Sequence, residues 1–142
     1  MSSRGVTLIE MLVVLMLIAL IGSVAGPFLS QRFDAIKLQS TATELAAQLK
    51  RAQAVARADQ VPIAMTYTEQ TFRFWKSSKP VAVYTLPSSI SPVVRDFPTY
   101  VFLPSGQILG ADVLELRNER GRRVTIKTDS LSGISVSFGA AL

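Results

Sequence analysis

Arg4-Gly5-Val6-Thr7-Leu8-Ile9-Glu10-Met11-Leu12-Val13-Val14-Leu15-Met16-Leu17-Ile18-Ala19-Leu20-Ile21 is the stretch on which the reading of this chain turns. Residues 6–29 form an apolar window with a single charge, Glu10, and the run from Met11 to Ile21 is unbroken. A helix needs roughly 20 residues to cross about 30 Å of hydrocarbon, so the window is long enough to span a bilayer. Ahead of it stand only Met1 to Gly5, and the lone cation Arg4 orients that end to the cytoplasm, with everything after the helix outside.

An ionisable group inside an apolar segment is costly unless paired, which makes Glu10 a functional candidate. A secretory leader offers a second reading of the same window. Ser23-Val24-Ala25 is a small-x-small triplet, and cleavage after Ala25 would release a soluble protein beginning at Gly26. Glu10 and the continued helical pattern beyond residue 25 argue against that reading.

The run from Arg4 through Glu10 into unbroken apolar residues resembles the processing site of type IV pilins and type II secretion pseudopilins. The resemblance implies cleavage after Gly5 by a prepilin peptidase and N-methylation of Val6, the new N-terminus. The family usually carries phenylalanine there, so Val6 is a departure. It further implies that Glu10 answers the N-terminal amine of a neighbouring subunit during filament assembly. Pairing with its own amine is the alternative, since Val6 and Glu10 are four residues apart and helical side chains lean towards the N-terminus.

After the unbroken run, Gly22, Gly26 and Pro27 interrupt the pattern. Pro27 removes a backbone donor and crowds the carbonyl of Ser23, so a kink or local unwinding is expected there. An amphipathic helix follows. Leu38, Ala42, Leu45, Leu49, Ala52 and Ala56 recur at spacings of four and three, while Lys37, Glu44, Lys50, Arg51 and Arg57 mostly take the other side. Asp59, Gln60 and Pro62 end the pattern. From Val6 to about Ala58 this is one helix of roughly 80 Å, at about 1.5 Å per residue. Its small-residue stripe is expected to pack on the chain's own domain.

From Val61 onward a two-residue period takes over. Strands are expected around Ile63 to Thr68, Phe72 to Trp75, Val81 to Leu86, Tyr100 to Leu103, Val113 to Arg117, Arg122 to Thr128 and Ile134 to Phe138, with a loop from Pro87 to Pro98. The fold class is therefore α+β: a long N-terminal helix packed on an antiparallel sheet or small β-sandwich. The expected divisions are a leader (1–5), the transmembrane half of the helix (6–29), its amphipathic half (30–58) and a β-rich periplasmic domain (59–142). Within the pilin superfamily, Gln48 to Arg57, the aromatic second strand, Leu86-Pro87, Phe102-Leu103-Pro104-Ser105-Gly106 and the late basic hairpin look like the GspH/FimT group. That group comprises the minor pseudopilin H of type II secretion and minor type IV pilins.

Composition narrows the chemistry. The 142 residues contain 15 Lys+Arg and 10 Asp+Glu, a net charge of +5, with no His and no Cys. Serine-histidine triads, thiolate nucleophiles, disulfides and His/Cys metal sites are thereby excluded. The acidic residues are scattered. Asp112 and Glu115 are three apart on an expected strand, hence on opposite faces and a poor acid–base pair. Asp129 stands nearly alone, so no calcium site is expected. The reading is no enzyme, no cofactor and no metal.

The local charge signal is the hairpin carrying Arg117, Arg120, Arg122, Arg123 and Lys127 against Glu115 and Glu119, an excess of +3. Clustered Arg and Lys suit phosphate neutralisation, so Arg120, Arg122 and Arg123 are candidates for contact with DNA or with neighbouring subunits. FimT-like pilins that capture DNA use a Gly-Arg-x-Arg motif near the C-terminus. This chain has Gly133-Ile134-Ser135-Val136 in the corresponding place.

The resemblance as a whole implies a minor pseudopilin of the type II secretion system, with a FimT-like minor type IV pilin as the alternative. The implied partners are other minor and major pseudopilins, the prepilin peptidase, inner-membrane lipid and secreted substrate, with DNA only in the alternative. The implied location is the bacterial inner membrane, single-pass, with the C-terminal domain in the periplasm.

Overall fold

The computed structural model describes residues 7–93, 99–129 and 133–138, and within these ranges it excludes the side chains of residues 24–31, 129 and 138. Gly5 and Val6 lie outside the described residues. The chain divides into two compact units, Met1–Ala35 and Ile36–Leu142.

In the first unit, helix α1 (Leu8–Asp59) begins with a segment whose side chains from Leu8 to Ser23 are all exposed, Leu8 at 86% and Met16 at 72%. A helix apolar all round has no polar face to give to water and requires an apolar neighbour. Among the described residues, no helix is long and apolar enough to cross a membrane, and the described side chains of this segment stop at Ser23. The backbone stays helical across Gly26 and Pro27, without the unwound turn expected there. A proline deletes one hydrogen bond of the ladder, and the bonds on either side hold the helix together.

In the second unit, α1 runs on to Asp59. It stops because Gln60 takes a left-handed conformation (φ 54°), and the Gln60 Nε2 donates to the carbonyl of Arg57 at 2.7 Å. The expected stripe is the buried face: Leu45, Leu49, Ala42 and Ala56 are fully buried, and Leu38 and Ala52 nearly so. Thr41 and Ala46 join them.

Among the described residues, nine strands make two antiparallel sheets. The first has the order β3-β2-β1-β5-β6, built from β1 (Ile63–Thr68), β2 (Thr71–Lys76), β3 (Lys79–Thr85), β5 (Tyr100–Phe102) and β6 (Ile108–Leu109). The second has the order β4-β7-β8-β9, from β4 (Ile90–Pro92), β7 (Val113–Asn118), β8 (Arg123–Asp129) and β9 (Gly133–Phe138). Alternation sends Ile63, Met65, Phe72, Phe74 and Phe102 inward from the first sheet. Leu114, Leu116, Val124, Ile126 and Ile134 point inward from the second, and all join the helix stripe in one core. Each such side chain contributes about 1.5–3 kcal/mol by leaving water.

Two strands depart from the sequence reading. Ile90–Pro92, inside the expected loop, pairs with Leu116 to Asn118 as an edge strand. Its proline is tolerated because an edge leaves one side of the strand unpaired. Ile108–Leu109 pairs with Val101 and Phe102, too short to show a period. Asp112 lies in a bend ahead of β7, not on the strand with Glu115.

Candidate functional site

Thr7 starts the helix. Its carbonyl accepts from the Glu10 and Met11 N–H groups at 3.1 and 3.2 Å, and its Oγ1 lies 3.4 Å from the Glu10 nitrogen. Thr7 is thus the N-cap and Glu10 the third helical residue. The spacing Thr-x-x-Glu is that of a capping box, a signal the charge-pairing argument passed over. The Glu10 carboxylate sits in the first turn, where exposed N–H groups and the helix dipole favour an anion. Glu10 itself is exposed. Its position at the start of an all-apolar, exposed segment leaves it open to a cation from outside the helix.

A second constellation joins two segments distant in sequence. On the helix, Gln53 Nε2 donates to the Gly106 carbonyl at 2.6 Å, and the Arg57 guanidinium lies over the Gly106 Cα, where a Cβ would collide with it. Gly106 (φ 90°) closes a tight turn, donating to the Leu103 carbonyl at 2.8 Å, while Leu103 donates to Gln107 at 2.9 Å. The helix run Gln48–Arg57 and the Phe102–Gly106 run therefore dock on each other.

The basic residues are gathered at the β7–β8 turn. Asn118 organises it: its carbonyl accepts from Gly121 at 3.0 Å, and its side-chain Oδ1 accepts from the Arg122 N–H at 2.9 Å. The Asn118 amide is buried, and its Nδ2 has no hydrogen-bond partner. Arg117 and Arg123 face each other across the ladder, both exposed, with Arg123 Nη1 3.7 Å from the Glu115 carboxylate. Arg120 and Arg122 project from the exposed turn.

Three tyrosines have ionisation shifted upwards. Burial pushes Tyr84 up to about 12, reinforced by the Glu44 carboxylate, which accepts from its hydroxyl at 3.1 Å. Burial also pushes Tyr100 up to about 12, with the Asp112 charge adding to it. Tyr67 is raised by burial. These groups are structural hydroxyls, neutral at physiological pH.

Residues 1–26 match the model of the prokaryotic N-terminal methylation motif. The fold is similar to the solved minor pseudopilin EpsH from the Type 2 Secretion System of Vibrio cholerae. The TM-score is 0.58 at 10% identity, over 74% of this chain and 99% of that one. The chain thus joins an N-terminal methylation motif to a fold similar to that of a minor pseudopilin. No curated protein sequence matches it. The motif covers the Thr7 cap and Glu10, so the helix start and the methylation motif belong to one segment.

Proposed function

We propose that this chain is a minor pseudopilin of a type II secretion system, closest in kind to the H-type subunit, and that its role is structural rather than catalytic. In this reading Gly5 precedes the peptidase cut and Val6 becomes the methylated N-terminus. The apolar helix anchors the subunit in the inner membrane with the β-domain in the periplasm. Glu10 sets the register by taking the amine of an adjacent protomer. The subunit joins other minor and major pseudopilins in a filament that helps export folded proteins, and secreted cargo can meet its β-domain.

The observation that carries the reading is a lone carboxylate at the cap of an exposed, wholly apolar helical segment, inside a methylation motif and ahead of a pseudopilin-like domain. Intact mass of the chain extracted from its membrane tests processing. The expected product lacks Met1 to Gly5 and carries one methyl group on Val6; a product beginning at Gly26 refutes the anchor. Deleting the gene and assaying export of folded proteins tests the machine, and unchanged export excludes secretion.

The cation-rich β7–β8 turn favours a second reading, a FimT-like minor type IV pilin that takes up DNA. Salt-dependent duplex binding, lost on neutralising Arg120, Arg122 and Arg123, supports it. No measurable binding at low salt removes it.

A further inference from the structure

A cavity of about 100 Å³ opens between α1 and the outer part of the first sheet. Ala52, Ile63, Phe74 and Ala82 give it apolar walls, and Gln48 and Arg51 bring polar groups to it. Its origin is local. A bulge at Phe74/Trp75 shifts the β2–β3 register and leaves Val81 unpaired, while small Ala52 and Ala82 leave volume that larger side chains would fill. The space suits one aliphatic side chain, as engineered apolar cavities of comparable size accept small hydrocarbons. Arg51 is exposed and, among the described residues, makes no hydrogen bond or ion pair.

Beside this cavity runs β3, which is an edge strand among the described residues. Leu86 N donates to the Gln70 carbonyl at 2.7 Å, directed at β2. Ladder parity then turns the backbone groups of Tyr84 and Ala82, opposite Phe72 and Phe74, towards β2 as well. Val83 and Thr85 present their N–H and C=O groups to the open side. Lys79 and Pro80 blunt only the start of the strand.

We propose that an extended peptide segment of a partner protein adds to β3 as a further strand, seats one aliphatic side chain in the cavity and sets an acidic side chain against Arg51. Charge complementarity selects the acid: Arg51 stands at the cavity without a partner among the described residues and Lys79 opens the strand, while Glu44 on the same helix is already engaged by Tyr84 and Ser40. Main-chain bonds supply affinity and the pocket supplies specificity, the division of labour usual in strand addition. The site uses no residue of the N-terminal segment, so it stands or falls apart from the assembly role of Glu10.

The test is fluorescence anisotropy of the full chain in detergent micelles with a labelled heptapeptide. The peptide alternates threonine with valine, leucine and glutamate, and a second version carries lysine in place of glutamate. Saturable binding of the acidic peptide is expected. Arg51→Glu should weaken it at least tenfold and reverse the preference between the two peptides. Val83→Pro removes an edge-facing donor and no hydrogen bond to β2, so it should abolish binding with only a modest fall in the thermal midpoint. Absence of saturable binding to the wild-type chain, or binding indifferent to Arg51→Glu, overturns the proposal.

Discussion

The side-chain amide of Gln53 holds the carbonyl of Gly106 at 2.6 Å, and one turn further along the helix Arg57 closes over the same glycine. This contact ties the amphipathic half of α1 to the turn between β5 and β6, and two features of Gly106 make it possible. Its φ of 90° is reachable at little cost only without a side chain, and its missing Cβ leaves room for the guanidinium.

Gly106→Ala should therefore destabilise the domain by about 1–3 kcal/mol, the usual range for a strained backbone position. The guanidinium is the far end of a flexible side chain and can swing aside, so the backbone conformation supplies most of the loss. Urea unfolding of Gly106→Ala with and without Arg57→Ala separates the two. Little recovery in the double variant is expected, and full recovery would assign the cost to the collision instead.

The β1–β2 hairpin carries avoidable strain. Glu69 (φ 49°) and Gln70 (φ 64°) both sit at positive φ in a two-residue turn, where asparagine and glycine are favoured. The pair Glu69→Asn, Gln70→Gly should raise stability by roughly 0.5–1 kcal/mol, reduced by loss of the 3.3 Å bond from the Tyr67 hydroxyl to Gln70. A higher thermal midpoint with an unchanged circular dichroism spectrum is the expected result.

The raised tyrosines give an alkaline signature. Below pH 10 the Tyr84 and Tyr100 phenols are neutral in the folded and unfolded chains, and their contribution is fully present. Between pH 10 and about 12 the unfolded chain ionises them while the folded chain keeps its protons, so stability falls as pH rises through that window. The urea midpoint should drop more steeply between pH 9.5 and 11.5 in the wild type than in Tyr84→Phe or Tyr100→Phe. Parallel slopes would show that these phenols do not govern it.

Much of the fold is legible because burial has a period. Leu38, Ala42, Leu45, Leu49, Ala52 and Ala56 mark their face by spacing alone, and Phe72 and Phe74 mark theirs by alternation. Pairing has no such signature. The division into two sheets and the edge position of Pro92 depend on partners far along the chain, which local pattern does not encode. The same holds for the candidate sites. Glu10 is conspicuous as a charge among apolar residues, and the basic turn as a run of arginines. The Gln53–Gly106 contact and the β3 cavity arise only when segments some thirty to fifty residues apart are brought together.

Glu10 makes two contributions that one substitution can separate. It stands third after the Thr7 N-cap, the position where a capping box takes glutamate or glutamine, and it carries the charge that the assembly reading requires. Glu10→Gln keeps the capping chemistry and removes the charge, whereas Glu10→Ala removes both. If the carboxylate pairs with a neighbouring amine, Glu10→Gln should still insert in the membrane and be cut after Gly5, yet be lost from filaments sheared from cells. Thr7→Val, which weakens the cap at a cost of about 0.5–2 kcal/mol but leaves the charge, should retain incorporation. Immunoblots of the sheared fraction against the membrane fraction read both variants. Normal incorporation of Glu10→Gln, alongside loss of Thr7→Val, would reassign Glu10 from subunit register to helix initiation.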